Sequence, residues 1–154
     1  MKPLKLILTL VAILCIAPQV LAQRVFSEYP AQKDITSVYI SKTAMKLGLS
    51  SMNDSSVCGI IESITNPGGM EVITANSPKA VALVKADCEK VLKTLNLEVL
   101  LDVKNDDAES TCIYTAGVEG DVAHDILIVN GSKNEINIVY IKGNINVKSV
   151  MGDK

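Results

Sequence analysis

The sequence predicts a single α+β domain: a mainly antiparallel sheet of about five or six strands with two or three helices packed on it. Three observations carry this. The apolar pattern repeats every 3.6 residues over 78–95 and then switches to a period of 2 after Asn96. Short β-rich runs recur beyond that point, separated by Gly and Asn turn signals, and consecutive strands on short connections pair antiparallel. The chain has 154 residues, a length one hydrophobic core can serve.

The elements follow in order. Residues 23–35 are mixed and polar and read as an extended or loosely helical lead-in, with Phe26 and Tyr29 as its anchors. Ile35-Thr36-Ser37-Val38-Tyr39-Ile40 is β-branched and aromatic and predicts a strand. Ser41 is placed to cap a short helix through Leu47, ended at Gly48. Asn53 or Asp54 caps a next helix, with Val57, Ile60, Ile61 and Ile64 at helical spacing, and Asn66-Pro67-Gly68-Gly69 stops it. A strand follows at Met70–Ala75.

The clearest helix is 78–95, with Ser77 at its N-cap and Pro78 at its first position, where the missing N–H costs nothing. Its apolar stripe includes Ala80, Val81, Val84, Cys88 and Val91, and Asp87 is read among the charged residues outside it. Leu97, Val99, Leu101 and Val103 then alternate with Glu98, Leu100, Asp102 and Lys104, as a half-buried strand would. Asn105-Asp106-Asp107 marks a turn. Further strands are expected at Thr111–Ala116, Asp125–Val129 and Glu135–Lys142, with turns at 117–120 and at Asn130-Gly131. Ile136–Ile141 is apolar on both faces except Asn137, which makes it a central strand. Asn144–Met151 is read as a terminal helical turn. Helices on one face only would leave the other free.

The first 22 residues read as an address, not as fold. Lys2 and Lys5 form a positive start, and Leu6–Ala17 is apolar apart from Thr9, too short for a spanning helix of about 20 residues. Pro18 and Val20-Leu21-Ala22 end the run, so cleavage after Ala22 is expected, leaving residues 23–154 as one exported, periplasmic or secreted domain with no stable membrane insertion. Cys15 lies inside the apolar run behind Leu14, so lipidation is not expected. Loss of Lys2 and Lys5 takes the formal charge from −2 to −4. Neither value suits a nucleic-acid partner, since phosphate backbones demand concentrated Lys and Arg.

At this point the residues resemble a known family. An exported chain opening with Ile35-Thr36-Ser37-Val38-Tyr39-Ile40-Ser41-Lys42-Thr43-Ala44-Met45, and closing with Asp125–Val129 and Glu135–Gly143, is similar to the family named domain of unknown function 4252. The resemblance spans roughly residues 24–151. It implies small envelope proteins of Gram-negative bacteria, carrying a signal peptide and no established activity. Many such relatives look like lipoproteins, a pattern from which this chain departs. The neighbourhood of extracytoplasmic sigma-factor regulators, frequent in the family, implies envelope sensing. The resemblance carries over no catalytic residues.

Candidate chemistry is sparse. His124 is the only side chain that ordinarily titrates near neutrality, but it adjoins Asp125 on a strand, where neighbours point to opposite faces, so the two form no orienting pair. Asp102, Asp106, Asp107 and Glu109 cluster across a turn without the Asp-x-Asp-x-Asp-Gly spacing of a calcium loop, and Lys104 stands where a ligand should. Asn53-Asp54-Ser55 and Asn130-Gly131-Ser132 match the glycosylation triplet, which in a bacterial chain is capping and turn chemistry only. Beyond the leader, Cys58, Cys88 and Cys112 remain, an odd number that admits three single pairings, and spacing does not choose among them. They are read here as buried thiols acting as small hydrophobes. No catalytic, cofactor-binding or metal-ligating residue is expected. The reading that results is a non-enzymatic exported protein that binds another envelope protein, with a small-ligand carrier and a hydrolase with an unrecognised site as alternatives.

Overall fold

The computed structural model describes residues 24–27, 29, 34–48, 64–105 and 109–147. Among the described residues six strands and two helices follow one another: β1 (Ile35–Ser41), α1 (Lys42–Gly48), β2 (Ile64–Ala75), α2 (Pro78–Thr94), β3 (Glu98–Lys104), β4 (Ser110–Glu119), β5 (Val122–Gly131) and β6 (Ile136–Asn146). The strands form one antiparallel sheet in the order β1-β2-β6-β5-β4-β3, so β6 is central, as its two-sided apolar pattern requires. The α+β class and the single domain are as the sequence predicts. The helix expected over residues 53–64 lies outside the described residues except at Ile64.

Ser41 Oγ accepts the Ala44 N–H at 3.1 Å and starts α1. Ser77 does the same for α2, accepting the Ala80 N–H at 3.4 Å while Pro78 takes the first turn. The inner stripe of α2 (Val81, Val84, Cys88, Val91) packs on Ile73 of β2, Leu127 of β5 and Ile136, Ile138 and Tyr140 of β6. Full burial of such aliphatic side chains contributes about 1.5–3 kcal/mol each.

The helices are not confined to one face. Met45 of α1 is buried with Ile64, Ile141 and Ile145, and Val139 and Ile141 alternate with Ile138 and Tyr140 along β6, so this second cluster lies on the face away from α2. α1 therefore covers one end of the face that segregated helices would have left free.

The turn signals were relocated. Ile64 is paired with Ile145 in β2 and does not end a helix. Asn66-Pro67-Gly68-Gly69, expected to stop that helix, is an irregularity inside β2, where the register with β6 shifts between Thr65 and Gly69. The positive φ of Asn66 (59°) and Gly69 (142°) serves this bulge. Strand β4 runs through Gly117-Val118-Glu119, and the connection to β5 is Gly120-Asp121 alone. Asn130 and Gly131 are not the hairpin turn either. Both still pair with β4 and β6, and the reversal falls at Ser132–Glu135, where Ser132 Oγ accepts the N–H groups of Asn134 and Glu135 at 3.4 and 3.2 Å. A serine hydroxyl organising the turn removes the need for a two-residue one. The tail is strand through Asn146, where a helical turn was expected from Asn144.

The largest correction concerns β3. Its alternation predicts one buried face, yet all seven residues are exposed. It is the terminal strand, and a register shift against β4 between Val99 and Leu101 inserts Leu100 and turns Val99 and Leu101 to opposite faces.

Candidate functional site

Two regions stand out, one polar and one apolar. The polar one holds the lead-in segment. Glu71 of β2 and Asp87 of α2 are only 4% and 8% exposed, which for carboxylates demands partners. Both find them in the same short stretch. The Val25 and Phe26 N–H groups donate to the Glu71 carboxylate, the latter at 3.3 Å. Asp87 accepts the Ser27 N–H at 3.1 Å, the Ser27 hydroxyl at 3.0 Å and the Tyr29 hydroxyl at 2.9 Å. Phe26 meanwhile enters the core beneath α2, and the Arg24 guanidinium stands 5.3 Å from the centre of the Tyr39 ring.

The electrostatics of the two acids differ. Burial raises Glu71, and the two backbone donors and Arg24 only partly offset it. Burial also pushes Asp87 upward, but the bonds from Ser27 and Tyr29 and the charge of Lys90 outweigh it and hold the carboxyl below its usual range. Burial and the bond to Asp87 push the Tyr29 phenol far up, so it stays a donor at any physiological pH. The sequence places Asp87 outside the apolar stripe, and the structure turns it inward. Its spacing to Val84 and Val91 was the signal that it faces inward. Glu71 carried the same kind of signal, sharing a strand face with Ile73 and Ala75.

The apolar region is the face away from α2 and the edge that bounds it. Val38, Val72, Val139, Ile128, Ile113 and Leu101 are cross-strand partners in turn, one from each strand, and make an unbroken aliphatic row across the sheet. At its β3 end the row comes into the open. Val99 is 61%, Leu100 44%, Leu101 47% and Val103 42% exposed. Single exposed apolar residues are ordinary, but this terminal strand exposes four, Leu101 and Val103 on one face and Val99, turned by the bulge, on the other.

Of the residues singled out from sequence, Asp102 lies on β3 itself and His124 lies apart from both regions. His124 Nδ1 lies 2.8 Å from Asn144 Oδ1 across the β5–β6 pair, and its Nε2 lies 3.7 Å from Glu119 Oε2. Asp125, at a positive φ of 45°, turns away to the Gly143 N–H at 2.8 Å and the Tyr140 hydroxyl at 3.3 Å, so His124 and Asp125 form no pair. Asp102 accepts the Cys112 thiol at 3.2 Å and faces Lys104 at 3.7 Å, Asp106 and Asp107 lie outside the described residues, and Glu109 lines a shallow groove with Glu135. Among the described residues no group of three or more His, Cys, Asp or Glu side chains is placed to hold a metal ion. Cys88 and Cys112 are both free thiols. Burial pushes Cys88 up to about 11, and Cys112 is raised by burial and by Asp102. Asn130 is a ladder residue whose Oδ1 accepts from Thr111 at 3.3 Å, while Cys58 and Asn53-Asp54-Ser55 fall outside the described residues.

A helix packed on an antiparallel sheet, with a clamped lead-in and an apolar edge strand, defines a small α+β protein. The chain belongs to the family described as domain of unknown function (DUF4252), whose model matches residues 29–152. No match was found among curated proteins or among solved structures. Among the described residues, no helix is long and apolar enough to cross a membrane.

Proposed function

We propose that the chain is an exported, non-enzymatic protein of the cell envelope, periplasmic after cleavage at Ala22, that acts by binding another protein through strand β3. The observation that carries this reading is the exposure of Val99, Leu100, Leu101 and Val103 on the terminal strand of the sheet. A terminal strand offers a row of backbone donors and acceptors, and an extended partner segment adds to it by backbone hydrogen bonds while side-chain contacts set the specificity. The layer between sheet and α2 is filled by Ile73, Leu127, Ile136, Ile138 and Val84, which favours contact at the surface over a ligand held inside. The positive start, the apolar run and the small residues ending at Ala22 support export. In this reading the protein reports on or organises its partner as an envelope-sensing module.

Intact mass on protein purified from the envelope of its own host tests the reading, denatured and then native. The expected denatured mass is that of a chain beginning at Gln23 without lipid. The expected native mass carries a protein partner, and substituting Leu101→Arg removes it while leaving the circular dichroism spectrum unchanged. A retained leader, an attached lipid or a bound small molecule overturns the corresponding part.

A further inference from the structure

The edge that carries the binding reading has a register of its own. We propose that β3 pairs with β3 of a second copy of this chain, antiparallel about Val103, joining two sheets into one of twelve strands. The inference rests on the reading of β3 as a binding edge and names what meets it.

The bulge at Leu100 divides β3 and leaves Leu101–Lys104 as its regular stretch. Along it the faces alternate. Leu101 and Val103 share the face of Ile113 and Thr111, while Asp102 and Lys104 share the face of Cys112 and Ser110, their charged atoms 3.7 Å apart. Cross-strand partners in an antiparallel pair point to the same face, so a two-fold pairing must be centred on a residue.

Four centres are then available, and three fail. Centred on Asp102, the two acids oppose each other. Centred on Lys104, the two lysines do. Centred on Leu101, Val103 meets Val99 of the other copy, which the bulge has turned to the opposite face. Centred on Val103, Asp102 of each copy opposes Lys104 of the other, and the two Val103 side chains meet. All paired side chains share a face, and the four charges alternate along it. Only this register satisfies both charge and face. A single copy presenting both halves of a complementary contact is what closed two-fold symmetry requires.

The contact is short, so the dimer is expected to be weak and concentration-dependent. Sedimentation of the protein purified from the envelope should show a weight-average mass rising from monomer toward dimer. Lys104→Asp sets acid against acid, and Asp102→Lys sets lysine against lysine, so each alone should weaken the dimer by about tenfold or more. The two variants mixed in equal amounts should associate with each other, because every pair is then opposite in charge, and D102K/K104D should recover self-association. Lys104 is exposed, so K104D carries the test even where Asp102→Lys, which also loses the Cys112 thiol, fails to fold.

A wild-type chain that stays monomeric overturns the proposal, and so does a dimer indifferent to the swaps, which would be seated on another surface. A monomer that still loses a different bound protein on Leu101→Arg overturns the second copy as partner while leaving the binding edge standing. A chain that neither self-associates nor binds through β3 overturns both.

Discussion

The Glu71 carboxylate accepts the Phe26 N–H at 3.3 Å from a strand 45 positions away, and the Phe26 ring enters the core beneath α2. One residue of the lead-in is thus held by both of its ends, polar backbone and apolar side chain. Removing the acceptor strands two N–H groups, that of Phe26 buried and that of Val25 half-buried. Glu71→Ala is expected to destabilise the fold by about 2–4 kcal/mol, and Glu71→Gln by less, since its amide oxygen still accepts one bond. Urea unfolding of the three proteins checks this, with an unchanged slope as the sign that compactness is preserved.

The same pair of acids predicts a pH dependence with two limbs. Glu71 is raised above 4.5, so its contribution is full at low pH and is lost as pH rises through the raised value. Asp87 is lowered below 3.8, so its contribution is present above 3.8 and is lost as pH falls through the lowered value. Relative to wild type, Glu71→Gln should flatten the decline on the upper limb, and Asp87→Asn should flatten the acid limb. Thermal unfolding between about pH 3 and pH 8 reads both; identical profiles for wild type and variants would contradict it.

Two glycines separate backbone need from space. Gly143 has φ +143°, and a Cβ there would meet Asn66 O at 3.1 Å and Pro67 Cα at 3.2 Å, the bulged stretch of β2. Gly120 has φ +61° with open space around it. Gly143→Ala is therefore expected to cost about 2–4 kcal/mol and Gly120→Ala about 1 kcal/mol. Denaturant midpoints of the two variants give the comparison directly.

Thiol chemistry should divide the described cysteines. Cys88 is buried with its thiol pushed up to about 11, whereas Cys112 is partly open beside Asp102. At pH 8 iodoacetamide is expected to label Cys112 slowly and Cys88 only on unfolding, because the thiolate is the reacting form. Peptide mapping by mass spectrometry resolves the two sites.

Much of this fold is written locally. Ser77-Pro78 and the 3.6-residue stripe of α2, the cap at Ser41, and the two-sided apolar run of β6 each specify their element without help from the rest of the chain. What local pattern does not carry is how the strands meet. Asn66-Pro67-Gly68-Gly69 has turn composition, and only its pairing with β6 makes it a bulge. Asn130-Gly131 has hairpin composition, but Ser132 relocates the reversal. In β3, alternation predicts a buried face that the end of the sheet does not supply. Helical spacing and strand parity carry a signal for the two buried acids, although Asp87 is read outside the stripe and Glu71 is not singled out. Their partners, contributed by residues 25–29 from far along the chain, carry no such signal.

The central claim, that β3 is the surface through which this protein binds, is tested most directly by a photoreactive side chain placed in turn at Val103 and at Val38. These residues are comparably exposed, 42% and 47%, on the two terminal strands of one sheet. Irradiated in the intact envelope, the chain should be trapped in a discrete protein adduct from position 103 and not from position 38. Equal trapping at both positions, or trapping from 38 alone, would contradict it.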